Sequence, residues 1–276
     1  MTLVELGLLL RRRRVWLSWA LLCALPALVA VFLAVTGIAP PPGRGGAFLS
    51  AVVGNGQLFP AAALALVLPV FLPITVAVVA GDTIAGEASA GTLRYLLVRP
   101  VGRLRLLLAK LISIAVFVLL AVLLVTVTGY LVGVALFGFG PDAALGGAGG
   151  VTSLSGAVLS PVDLLLRTAL VVGYLALCML ALGAVGLFFS TLTDSPLAAA
   201  LGVLALVVTS AVLTPLDAAH IIEPYLPTAH WLAWIDLYRD PILWPSVRRG
   251  TAVEAGYVVV AFGAAWANFA TKDVTS

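Results

Sequence analysis

Two acids, Asp82 and Glu87, and five of the fifteen basic residues, Arg94, Arg99, Arg103, Arg105 and Lys110, crowd into one stretch, DTIAGEASAGTLRYLLVRPVGRLRLLLAK, over residues 82–110. Paired carboxylates can do general acid–base chemistry when they converge on one spot. A spacing of five places Asp82 and Glu87 on different faces of a helix, so that chemistry is not expected. His220 and His230 stand ten apart without flanking ligand residues and do not describe a metal centre. Cys23 and Cys178 fall far apart inside apolar runs, where packing rather than a disulfide or a metal is expected. The phosphate-binding pattern GxxxxGK[ST] is missing, and the chain has no Gly-Lys dipeptide. The chain is therefore expected to be no enzyme and to hold no metal or cofactor of its own. A nucleotide, if one is used, must sit on another chain.

The elements that carry these residues follow from composition. With 62% apolar and 10% charged residues and a mean hydropathy of +1.18 over 276 residues, the chain cannot be a water-soluble globule, which carries about 25% charge. Uncharged runs at 15–43, 45–81, 111–141, 168–193, 195–216 and 255–271 each hold the roughly 20 apolar residues that a bilayer core requires. The expected fold class is an all-α membrane protein, one transmembrane domain over 1–276 with six spans near 15–38, 58–81, 111–140, 168–190, 196–216 and 253–271. Pro69 and Pro73 should kink the second span. Ahead of the first span, MTLVELGLLLRRRR can lie on the headgroups as an amphipathic helix. The glycine-rich stretch 141–156 reads as a loop without legible chemistry, and in 216–250 the spacing of Trp231, Trp234, Ile235 and Tyr238 predicts a short interfacial helix broken by Pro241.

Orientation follows from the basic residues. With the N-terminus in the cytosol, Arg11 to Arg14, Arg94, Arg99, Arg103, Arg105, Lys110 and Lys272 lie inside, ten in all, against Arg44, Arg167, Arg239, Arg248 and Arg249, five, outside. Both termini are therefore expected in the cytosol. The net charge of +3 then describes topology rather than nucleic-acid binding. Trp16, Trp19 and Trp266 on one side, and Trp231, Trp234 and Trp244 on the other, are expected at headgroup depth. Glu254 is taken as the outer limit of the last span, which leaves all six spans without ionisable residues. That pattern weakens an ion-coupled transporter, which needs such groups at membrane depth, and favours a route for apolar or amphipathic molecules.

Between the second and third spans, residues 84–98 can form a short helix with Leu93, Leu96 and Leu97 on one face. Arg99-Pro100 ends it, because a residue before proline avoids helical geometry. Here the sequence resembles the type-two permeases of ATP-binding-cassette (ABC) exporters. The residues that carry the likeness are Asp82, Glu87, Gly91, Thr92, Leu93, Leu96, Leu97, Pro100, Arg103 and Lys110. The resemblance implies that 86–98 is a coupling helix resting in a cleft of a separate nucleotide-binding ATPase, which binds ATP and magnesium. It implies a complex of two such ATPase chains with two permease chains, identical or paralogous, in the bilayer. Glu87, Gly91, Thr92, Leu93, Arg94, Leu96 and Leu97 would meet the ATPase, with STLTDSP at 190–196 as a smaller contact. Arg99, Arg103, Arg105 and Lys110 would hold the loop to anionic headgroups.

Thirteen arginines against two lysines, with abundant Ala, Gly and Val, point to a GC-rich prokaryote and hence to its cytoplasmic membrane. The competing reading from another class is a membrane anchor for a cytosolic complex, with no transport of its own.

Overall fold

A computed structural model describes residues 5, 7, 11–37, 55–91, 102–139, 151–153, 155–216 and 220–271. Among them the helices are α1 (Arg13–Thr36), α2 (Phe59–Val67), α3 (Phe71–Gly81), α4 (Ala85–Ser89), α5 (Arg103–Phe137), α6 (Pro161–Leu192), α7 (Pro196–Leu213) and α8 (Trp244–Thr271). Three 3₁₀ turns, Gly56–Leu58, Glu223–Tyr225 and Trp231–Tyr238, complete the helical part. Strands β1 (Val151–Thr152) and β2 (Val158–Leu159) make a small antiparallel hairpin with Val151 opposite Leu159.

Helices α1, α5, α6, α7 and α8 are each long and apolar enough to cross a membrane, and this marks a multi-pass membrane protein. The second expected span is not one kinked helix. It is broken at Leu68, Pro69 and Val70, and its halves, Gly56–Val67 and Phe71–Gly81, meet at 59°. Pro69 has no N–H to continue α2, and Pro73 is best tolerated where it stands, in the first turn of a new helix.

Local sequence accounts for the other boundaries. The Ser160 hydroxyl accepts the Asp163 amide at 3.1 Å, with Pro161 at the first helical position and the Asp163 carboxylate in the first turn of α6. Ser195 and Pro196 repeat the device at α7, after a tight turn of Thr193, Asp194 and Ser195. Three helices start well ahead of the expected spans: α5 opens at Arg103 rather than near 111, α6 at Pro161 rather than near 168, and α8 at Trp244 rather than near 253. Charged residues were read as span limits, yet Lys110 and Glu254 both lie inside helices and are buried.

α6 is the central helix, packed against α3, α5, α7, α8 and the Trp231–Tyr238 turn, with Leu175, Cys178, Met179 and Leu187 fully enclosed. α1 lies against α5 through Trp19, which stacks on Phe117 with centroids 5.7 Å apart. Trp19, Trp231 and Trp234 are thus core residues, contrary to the expected headgroup belt, while Trp16, Trp244 and Trp266 are exposed. The segment 231–238 winds as 3₁₀, whose three-residue period buries Trp231, Trp234 and Leu237 on one side and leaves Ile235 half-buried. The expected N-terminal amphipathic helix and residues 92–101 lie largely or wholly outside the described residues.

The chain turns from α3 into α4 on one buried side chain of α6. The Ser190 hydroxyl accepts the amides of Ile84 at 3.0 Å and Ala85 at 2.8 Å, and donates to the Gly81 carbonyl at 2.8 Å. Replacing Ser190 by Ala strips a partner from all three groups inside the bundle, so Ser190→Ala should lose about 1–3 kcal/mol of stability. Thermal unfolding of the detergent-solubilised chain measures this, and an unchanged midpoint would show that the turn does not depend on the hydroxyl.

Candidate functional site

At one end of the bundle three elements bring their ionisable side chains together. Lys110, two turns into α5, is only 3% exposed. Its ammonium donates to Glu5 Oε2 at 2.9 Å and to Glu87 Oε1 of α4. Beside this pair Arg12, preceding α1, holds Asp82 at the end of α3. A cavity of about 50 Å³ between them is lined by Glu5, Arg12, Arg14, Asp82, Lys110 and Ser113, and has room for a few water molecules.

The charges balance. Glu5, Asp82 and Glu87 supply three carboxylates, and Arg12, Arg14 and Lys110 supply three cations, so a buried group need not stand alone. Burial is the larger influence on Glu87 and pushes its carboxyl above the ordinary value of 4.5, while the adjacent Lys110 ammonium works against it. Lys110, which the sequence reading assigned to anionic headgroups, has its ammonium enclosed by two carboxylates of the chain itself. Arg103 also turns inward: its guanidinium donates to the carbonyls of Phe269 at 3.0 Å and Ala270 at 2.7 Å, and so caps the C-terminus of α8. Arg105 is exposed. Gly91 follows α4 with a left-handed φ of 68°, which a side chain would disfavour. Thr92, Leu93, Arg94, Leu96, Leu97 and Arg99 lie outside the described residues.

Sequence reasoning reached Asp82, Glu87 and Lys110 but not what joins them. Glu5 and Arg12 were read as membrane-surface residues, and the signal that was available is a lone acid inside an apolar N-terminal segment. Glu254 was also missed. It sits one-third of the way along α8, 1% exposed, and among the described residues nothing meets either carboxyl oxygen in hydrogen-bond geometry. The Trp231 indole N–H and the Cys178 thiol stand close enough to act on it without meeting it in hydrogen-bond geometry. At this end Arg167 of α6 donates to the Leu237 and Arg239 carbonyls and pairs with Asp240 at 3.0 Å, which fixes the end of the Trp231–Tyr238 turn.

The family described as protein of unknown function (DUF2705) matches residues 26–222. The chain belongs to that family. No curated protein matches it. The DUF2705 region takes in α2 to α7, and with them Asp82, Glu87, Lys110 and Ser190. Glu5, Arg12 and α8 with Glu254 lie outside it.

Through its ion pairs the cluster clasps the N-terminal segment to α4 and α5, and the stretch before α1 to the end of α3. Lys110→Met would leave two buried carboxylates without their ammonium and should cost about 3–5 kcal/mol. Adding Glu87→Gln to that variant should return part of the loss, as read by thermal unfolding. Glu87→Gln alone tests the sign of the shift. A carboxyl whose value is raised on folding helps most when protonated, so its contribution is complete below 4.5 and lost as pH rises above it. The stability of Glu87→Gln relative to wild type should therefore increase with pH from about 4.5 upward; a flat difference would contradict it.

Proposed function

We propose that the chain is the membrane-spanning permease subunit of an ATP-driven ABC exporter, with the broken pair α2 and α3 counted as one of six spans. Residues 86–98, helical as far as Ser89 and turned at the left-handed Gly91, are its coupling segment, docking on a separate ATPase subunit present in two copies, and a second permease chain completes the complex. The chain sits in a prokaryotic cytoplasmic membrane with both termini in the cytosol, and it moves an apolar or amphipathic molecule outward.

The observation that carries this reading is the Lys110 clasp. Residues 92–101 join two elements, α4 and α5, that are bound to each other and to the N-terminal segment through Glu87, Lys110 and Glu5. Ser190 ties the same turn to α6. A push on the loop would therefore reach α3, α5 and α6 together instead of being absorbed locally, which is what coupling to a motor requires. The order Asp82, Glu87, Gly91-Thr92-Leu93, Pro100, Arg103 and Lys110 supports the same reading, as does a sequence without a nucleotide-binding loop. Glu254 withdraws the premise of charge-free spans. The substrate class now rests on the apolar walls of the helices, with one buried acid among them.

Affinity purification of the tagged chain from its native membrane should bring down an ATPase whose own sequence contains GxxxxGK[ST]. Leu93→Asp with Leu97→Asp should release that ATPase while the permease stays inserted. Retention of the ATPase by this double variant would sink the coupling-segment assignment. Recovery of a cytosolic partner without that loop would favour the anchor reading.

A further inference from the structure

An ionised or ionisable side chain inside a membrane-spanning helix is costly and marks function unless something local explains it. Lys110 is explained by its two carboxylates. Glu254 is not: it is buried, and among the described residues nothing meets its oxygens in hydrogen-bond geometry and no basic side chain pairs with it. Arg249 is five residues away on α8, about 140° around the helix, and so faces elsewhere.

What surrounds the carboxyl is aromatic and soft: Trp231 from the 3₁₀ turn, with Tyr174 and Cys178 from α6. Ser246, Gly250 and Glu254 follow one another at four-residue spacing along one stripe of α8. Ser246 borders a cavity of about 460 Å³, lined also by His230, Ala233, Asp236 and Arg249, within the size range of small-molecule sites. One turn further along, beyond the cavity lining, the Tyr174 hydroxyl, donating to the His230 carbonyl at 2.7 Å, packs on Gly250 and leaves no room for a side chain. Glu254 is one turn beyond that contact. The cavity, a narrow partition and an uncompensated carboxyl thus lie in line.

We propose that Glu254 binds the positive charge of a lipophilic organic cation, a quaternary ammonium or phosphonium, that enters from the cavity bordered by Ser246 and His230. A metal ion does not fit, because hard cations take six or more oxygen ligands and Glu254 offers the single carboxylate here. An organic cation needs one counter-charge and apolar or aromatic walls; Glu254 supplies the first on releasing its proton, and Trp231 and Tyr174 supply the second. Entry requires the Tyr174–His230 bond to open. As a substrate site this rests on the export reading; as a binding site it does not.

The test uses the full chain in lipid nanodiscs without any ATPase, so its outcome is independent of whether a motor partner exists. Equilibrium dialysis measures binding of tetraphenylphosphonium and of the uncharged triphenylphosphine oxide, each corrected with empty nanodiscs. Wild type should bind the cation at least about tenfold more tightly than the neutral compound, and the isosteric Glu254→Gln should lose at least about tenfold for the cation alone. Equal affinity of wild type for the two compounds overturns the proposal, and so does undiminished cation binding by Glu254→Gln. The first comparison needs no variant and stands even if Glu254→Gln does not fold.

Discussion

An ammonium cannot be left alone in an apolar interior, and the arrangement at one end of this bundle follows from that constraint. Lys110 is placed by the helical register of α5 where its charge points inward, and two carboxylates must come to it. One arrives from the N-terminal segment and one from the short helix α4, so elements remote in sequence are drawn to a common point. Arg12 and Asp82 add a second pair at its edge. Such a clasp contributes little net stability compared with apolar packing, but it specifies which elements must sit together, because removing one partner exposes the rest to the full cost of burial.

The same reasoning governs the backbone. Helices satisfy their own amides, so the difficult places are breaks and ends. Four of them are met by a side chain from elsewhere in the fold. Ser190 serves the turn after α3, Arg103 the end of α8, and Arg167 the end of the 3₁₀ turn. Asn268 does likewise at the end of α6, donating to the Thr191 carbonyl at 3.0 Å. The apolar exterior carries little information of this kind, and the polar minority specifies how the helices are joined.

Much of this architecture was legible in the sequence. Hydropathy located the apolar segments, and the Ser-Pro start of α7 fell on its expected limit, because a single apolar run dictates a helix without reference to its neighbours. Charged residues were harder to read. Lys110 and Glu254 were taken as boundaries on the rule that charge stays in water, and the rule fails where tertiary partners, or a cavity, receive the group. The interfacial turn shows a related miss: Trp231, Trp234 and Tyr238 are spaced for a 3.6-residue period, and packing against α6 and α8 winds the segment as 3₁₀ instead, with Leu237 in the stripe of Trp231 and Trp234. Of the candidate site, the acids and the lysine could be named from sequence, whereas Glu5 as their companion could not, since a contact across 105 positions leaves no local pattern.

The grip of Arg103 on the last turn of α8 has a mechanical meaning. α8 has 28 residues, so as a straight rod it is about 42 Å long. Pivoting such a rod by about 5° at the end Arg103 holds swings the other tip through roughly 4 Å by simple leverage. A movement at the base of the loop too small to break any ion pair is in this way magnified into a displacement of several ångströms at the far tip of α8.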